Sequence, residues 1–191
     1  EQNKAECARY LKIAAEKGHS GAMFTYALIL HDGDGIERNR VEAFKYLQIA
    51  AKKGNVRAMF YAAMMLKNGD GIQVDRKEAA HYFKLAADRG LTDAMTNYAI
   101  LLRELSGGNQ KDKQEAARYL KLAADKGDTN AMLGLSILLR DGDGVQADKK
   151  ESARYLRLAA EKGDLGAVYL YGLLLYQGEG VDENKPEAAR F

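Results

Sequence analysis

Tryptophan is absent from this sequence of 191 residues, and cysteine and proline occur once each. A single thiol, Cys7, cannot form a disulfide within the chain. That excludes a disulfide-stapled scaffold and is compatible with a reducing, cytoplasmic compartment. One proline leaves little to interrupt a helix. There is no run of about 18 apolar residues, so membrane insertion is not expected. The opening Glu1-Gln2-Asn3-Lys4 is polar and lacks a signal-peptide pattern. An excess of one charge is missing too. The 29 Lys and Arg stand against 27 Asp and Glu, so no global field draws the chain to nucleic acid or to a membrane surface. The three histidines, His19, His31 and His81, are not at ligand spacing, and neither a metal nor another cofactor is expected. What is plentiful is alanine, leucine, lysine and glutamate, a mixture that favours helix.

Self-similarity organises these residues. The segment YLKIAAEKG at Tyr10 returns at Tyr46, Tyr82, Tyr119 and Tyr155, in steps of 36 or 37 residues. A second segment alternates with it, starting at Ala22, Ala58, Ala94, Ala131 and Ala167. Both have helical periodicity, and we term the second the A helix and the first the B helix. In the first A helix, Ala22, Met23, Tyr26, Ala27, Ile29 and Leu30 share one broad face, with Phe24, Leu28, His31 and Asp32 on the other. The B helix ending at Gly54 turns Ala43, Tyr46, Leu47, Ala50 and Ala51 inward. The alanines let helix axes approach closely, and the aromatic ring fills the gap beside them.

The punctuation agrees. Each B helix is expected to open with an Asx residue and a Glu three places on: Asn3/Glu6, Asn39/Glu42, Asp75/Glu78, Asp112/Glu115, Asp148/Glu151 and Asn184/Glu187. That is the spacing of a capping box. Pro186 sits in a first helical turn, where its missing donor costs little. The complete B helices end at Gly18, Gly54, Gly90, Gly127 and Gly163, each after a cation that suits a helix C-terminus. The reading is therefore a single array over 1–191: a B helix over 1–18, then pairs at 19–54, 55–90, 91–127, 128–163 and 164–191, eleven helices in all. The last pair stops within its B helix at Phe191, which suggests an excerpt of a longer array or self-association through uncapped ends.

The recurring A-x3-[YL]-[AGS]-x2-L-x2-G-[DE]-G-[IV]-x2-[DN], followed by E-x2-x-Y-x3-A-A-x-[KR]-G, resembles the Sel-1-like repeat, a relative of the tetratricopeptide repeat. The resemblance covers essentially the whole chain. It implies an all-α fold, a right-handed α-solenoid of about five helix–turn–helix repeats. It also implies a non-enzymatic adaptor that binds protein. Two departures stand out. Tyr or Phe replaces the Trp of many bacterial members. The third loop, Leu105-Ser106-Gly107-Gly108-Asn109-Gln110, loses the Gly-Asp-Gly pattern and gains one residue, so local curvature is expected to differ there.

Other chemistry finds little support. The loops Gly33-Asp34-Gly35, Gly69-Asp70-Gly71, Gly142-Asp143-Gly144 and Gly178-Glu179-Gly180 lack the alternating oxygen ligands of a calcium loop and read as helix caps with tight turns. Cys7 aligns with Ala43, Ala79, Ala116, Ser152 and Ala188, a small-residue slot, and is expected to be buried and inert. Cysteine-rich relatives associated with penicillin-type ligands carry a cysteine pair in each repeat, which this chain lacks. A small-ligand or hydrolytic protein is thus one alternative, and a self-assembling array another. The basic columns Arg9, Lys45, His81, Arg118, Arg154 and Lys12, Lys84, Lys121, Arg157 are matched by acids three or four residues away, so they read as a solvated outer face with no nucleic-acid site.

The second face of the A helices varies between repeats where the packing positions do not. One column reads Phe24, Phe60, Thr96, Leu133, Tyr169, and another His31, Lys67, Arg103, Arg140, Tyr176. A third contains Asn68 and Glu104, and the strip between stays apolar through Leu28, Met64, Ile100, Ile137 and Leu173. By resemblance to the tetratricopeptide fold these columns would line a concave groove. Aromatic and arginine residues flanking an apolar strip suit a protein or peptide partner.

Overall fold

The computed structural model describes residues 2–182 and 184, and among them there are helices and no strand. In chain order these are α1 (Gln2–Glu16), α2 (Ser20–Asp32), α3 (Arg40–Lys52), α4 (Val56–Asn68), α5 (Arg76–Ala87), α6 (Thr92–Leu105), α7 (Gln110–Asp125), α8 (Thr129–Asp141), α9 (Lys149–Glu161) and α10 (Leu165–Gln177). Even numbers are A helices and odd numbers are B helices. The expected eleventh helix, with Pro186, Glu187, Ala188 and Phe191, lies outside the described residues.

The chain divides into two compact units, Glu1–Ala94 and Met95–Phe191. In the first, α2 packs on α1 and α3, and α4 on α3 and α5. In the second, α8 packs on α7 and α9, and α10 on α9. The alanine columns make these approaches close. Ala50, Ala58, Ala86, Ala123, Ala131, Ala159 and Ala167 are all fully buried. Tyr26 meets Tyr46 edge-on at 5.1 Å in the first unit, and Tyr98 meets Tyr119 at 5.0 Å in the second. Burial pushes the hydroxyls of Tyr26 and Tyr46 above the usual phenol range. Of the residues expected inward, Ile29 and Tyr46 are only half-buried.

The expected B-helix caps form at Asn39, Asp75 and Asp148, whose side-chain oxygens accept the N–H of Glu42, Glu78 and Glu151 at 2.9 to 3.0 Å. The reciprocal half of the capping box is replaced. The backbone N–H of each cap donates instead to the preceding A helix: Asn39 to Leu30 O, Asp75 to Leu66 O, Asp148 to Leu139 O. Asn184 does the same with Leu175 O at 2.8 Å. Two expected caps do not form. Asn3 lies inside α1, and Asp112 lies in the first turn of α7, which starts early because Asn109 caps it through Lys111 N–H. The altered third loop gives Asn109 that role: Ser106 Oγ donates to Arg103 O and accepts from Gly108 N–H.

The Gly-Asp-Gly loops are caps and turns. Gly33, Gly69, Gly142 and Gly178 close their A helices in the left-handed conformation. The acid between the glycines reaches the start of the preceding B helix. Asp34 pairs with Lys4 at 2.7 Å, Asp70 with Arg40, Asp143 with Lys113 at 2.9 Å and Glu179 with Lys149 at 3.0 Å. The following glycine allows that approach. At Gly144 (φ 77°) a Cβ would lie 2.5 Å from the carbonyl of Lys113.

Candidate functional site

Each unit presents part of the variable A-helix face. On the first, Phe24 and Leu28 of α2 and Phe60 and Met64 of α4 are half-buried. Phe24 stands edge-on to Tyr61 with centroids 5.4 Å apart, Tyr61 to Phe60 at 5.9 Å, and Phe60 to Phe83 of α5 at 5.7 Å. Edge-to-face pairs of this kind fix ring orientation as well as burying area. Lys67 lies 5.9 Å over the Phe83 ring, and Asn68 is exposed at the end of α4. Tyr61 is exposed and was missed from the sequence. Its own column, Thr25, Tyr61, Asn97, Gly134, Leu170, varies as freely as the others and carried the signal.

On the second unit the face is less filled. Ile100, Ile137, Tyr169 and Tyr176 are exposed, Tyr169 to 66%, whereas Leu133 and Leu173 are half-buried. Between α8, α9 and α10 lies a recess of about 120 Å³. It is lined by the apolar Ile137, Leu156, Leu170, Leu173 and Leu174 and by the polar or charged Arg140, Lys149, Gln177 and Glu179. Two small polar residues also line it. Ser136 and Ser152 stand where most repeats have alanine, and both hydroxyls are spent internally, on Leu133 O and Ser136 O at 2.7 Å. Arg140 is held by Asp141 through bonds of 2.7 and 3.2 Å, which raise the guanidinium pKa and lower that of the exposed Asp141.

Three residues assigned to this face are bonded or buried within the fold. Arg103 bonds Asp143 at 3.0 Å, and His31 bonds Asp70 at 2.5 Å, each tying one A helix to the loop after the next. Thr96 is buried at 4% exposure and presents nothing to a partner. Glu104 is exposed. Cys7 is corrected as well: it is exposed, whereas the aligned Ala43, Ala79 and Ala116 are fully buried.

The outer faces of the B helices are laced with charge. Arg154 pairs with Glu151 at 2.6 Å and Arg157 with Glu161 at 2.8 Å. Arg9, Arg118 and Arg154 lie over the rings of Tyr10, Tyr119 and Tyr155. Among the described residues no helix is long and apolar enough to cross a membrane, and no group of three His, Cys, Asp or Glu side chains could hold a metal ion.

A family model described as the Sel1 repeat matches residues 1–19, 20–55, 56–91, 92–128, 129–164 and 166–191. The count is six rather than five, since the opening helix scores as a repeat of its own. Among solved structures the chain is similar to c5321, a protective antigen present in uropathogenic Escherichia coli strains and displaying an SLR fold. That match has a TM-score of 0.86 and 27% identity and covers 95% of this chain and 38% of that one. It is also similar to a Sel1 repeat protein from Oxalobacter formigenes, with a TM-score of 0.85 and 24% identity over 97% of this chain and 82% of that one. The curated proteins contain no match.

Proposed function

The chain belongs to the Sel1 repeat family, whose members are in general protein-interaction scaffolds, and we propose that it binds a peptide or protein segment on its A-helix face. The observation that carries this reading is the recess beside Ile137 and Arg140. It is lined by five apolar side chains together with charged and polar groups, and the exposed Tyr169 and Tyr176 lie on the same helix, α10. A pocket of about 120 Å³ suits one apolar side chain of a partner, and the charges among its lining residues suit the flanking backbone and polar groups. In the first unit the Phe24–Tyr61–Phe60 series offers a rigid aromatic surface that needs little ordering on binding.

The test is selection from a displayed peptide library on the intact chain, followed by titration of the selected peptides into a variant. The variant Tyr61→Ala, Ile137→Glu, Arg140→Ala, Tyr169→Ala alters groups on the A-helix face and spares the internal ties at His31 and Arg103. Loss of at least tenfold in affinity, with an unchanged helical circular dichroism spectrum, is the expected result. Equal affinity in parent and folded variant rejects the A-helix face.

A further inference from the structure

His31 closes α2 with an acid at each ring nitrogen. Nδ1 lies 2.7 Å from Asp32 Oδ1, and Nε2 lies 2.5 Å from Asp70 Oδ2. A neutral imidazole has one N–H and one lone pair. Whichever nitrogen lacked the proton would turn its lone pair on a carboxylate oxygen at hydrogen-bond distance. Only the imidazolium donates to both. The geometry therefore demands a cation at a side chain that titrates near neutral pH.

The second unit contains the same arrangement with a permanent cation. There Arg103 ends the A helix, bonds Asp143 of the following loop, and shares that acid with Lys113 at the start of α7. In the first unit His31 ends the A helix, bonds Asp70, and shares it with Arg40 at the start of α3. We propose that His31 is a proton-operated latch between the first two helix pairs. Protonated, it ties the end of α2 to the loop after α4; deprotonated, it loses its charge and one of its two carboxylate bonds, so its attraction to Asp70 falls and the seam loosens.

The charges around the ring are Asp32 on α2, Asp70 in the loop after α4, and Arg40 on α3. On the α1 side Lys4 is occupied by Asp34. Burial lowers the His31 pKa, but the bonds to Asp32 and Asp70 and their charges outweigh it and leave the value above the ordinary one. The sign follows. A folded-state pKa above the unfolded one gives stability that is complete below about pH 6.5 and is lost as the pH rises through the raised value.

Two measurements on the intact chain test the latch. The first is the nitrogen-15 resonances of the His31 ring across pH. Protons on both nitrogens at about pH 6.5, with a midpoint above that value which falls in Asp70→Asn, are expected. A single ring N–H there, or a midpoint at or below the ordinary value, overturns the proposal. The second compares thermal unfolding at about pH 6 and about pH 8 in the parent, His31→Arg and His31→Gln. The parent is expected to lose melting temperature between the two relative to His31→Arg, which carries the cation at both. His31→Gln is expected to match the loosened parent at both. Parallel profiles in the parent and His31→Arg overturn the latch. The ring resonances decide the question even if a variant fails to fold, because they are read on the unaltered protein.

Discussion

Asp143 shows how much one loop residue does in this fold. The Lys113 hydrogen bond, opposed by burial and joined by Arg103, holds its carboxyl below the usual carboxylate range. A depressed folded-state pKa contributes stability that is present above about pH 4 and disappears as the pH falls through the lowered value. Asp143→Asn is therefore expected to lower urea stability by about 1–2 kcal/mol at neutral pH, with the gap closing in acid. A gap that stays constant with pH would mean the side chain acts through packing alone. The neighbouring glycine makes a second prediction. Gly144 and Gly163 share the left-handed conformation, but a Cβ at Gly163 meets nothing within 4 Å, whereas at Gly144 it meets the Lys113 backbone. Gly163→Ala should cost about 1 kcal/mol in denaturant unfolding and Gly144→Ala clearly more, because only the second must also push a helix away. At this scale the sequence was a partial guide. The turn glycines and their acids were legible as punctuation. That each acid reaches the preceding B helix was not, since the partner lies about thirty residues back, as with Lys4 and Asp34.

Elements were legible where a local pattern repeats and less so where a single repeat departs from it. The B-helix caps at Asn39, Asp75 and Asp148 were visible because the Asx–Glu spacing recurs. The A-helix caps were missed. His19 Nδ1 and the side-chain oxygens of Asn55, Asp128 and Asp164 accept the N–H of Ala22, Ala58, Ala131 and Ala167. The signal was a capping side chain directly after the closing glycine of four B helices, Gly90 being followed by Leu91. Asp128→Ala is expected to destabilise the chain by about 1 kcal/mol, read as a shift in urea midpoint, and Asp128→Asn much less. Asn3 and Asp112 fit the recurring pattern and fail for local reasons. One lies within α1, and the other is pre-empted by Asn109 after the altered third loop.

For the molecule as a whole, an interval of 36 or 37 residues was enough to read the tandem helix pairs, because each pair must bury its alanine faces against the next. The binding face was less legible. Column variability pointed to the A helices and to Arg140 and Tyr169, with Ile137 on the apolar strip between. It could not separate a residue free to meet a partner from one such as Arg103 or Thr96, whose variation answers to an internal neighbour. Nor could it show the recess beside Ile137, which depends on how α8, α9 and α10 meet. The most direct test is site-specific photo-crosslinking in source cells. A benzophenone side chain is placed at Ile137 or Tyr169 on the A-helix face, and at Arg118 or Arg157 on the B-helix face as a control. A scaffold that works through its A helices is expected to give discrete protein adducts from the first two positions and none from the others. Adducts from the B-helix positions alone, or equally from both faces, would contradict it.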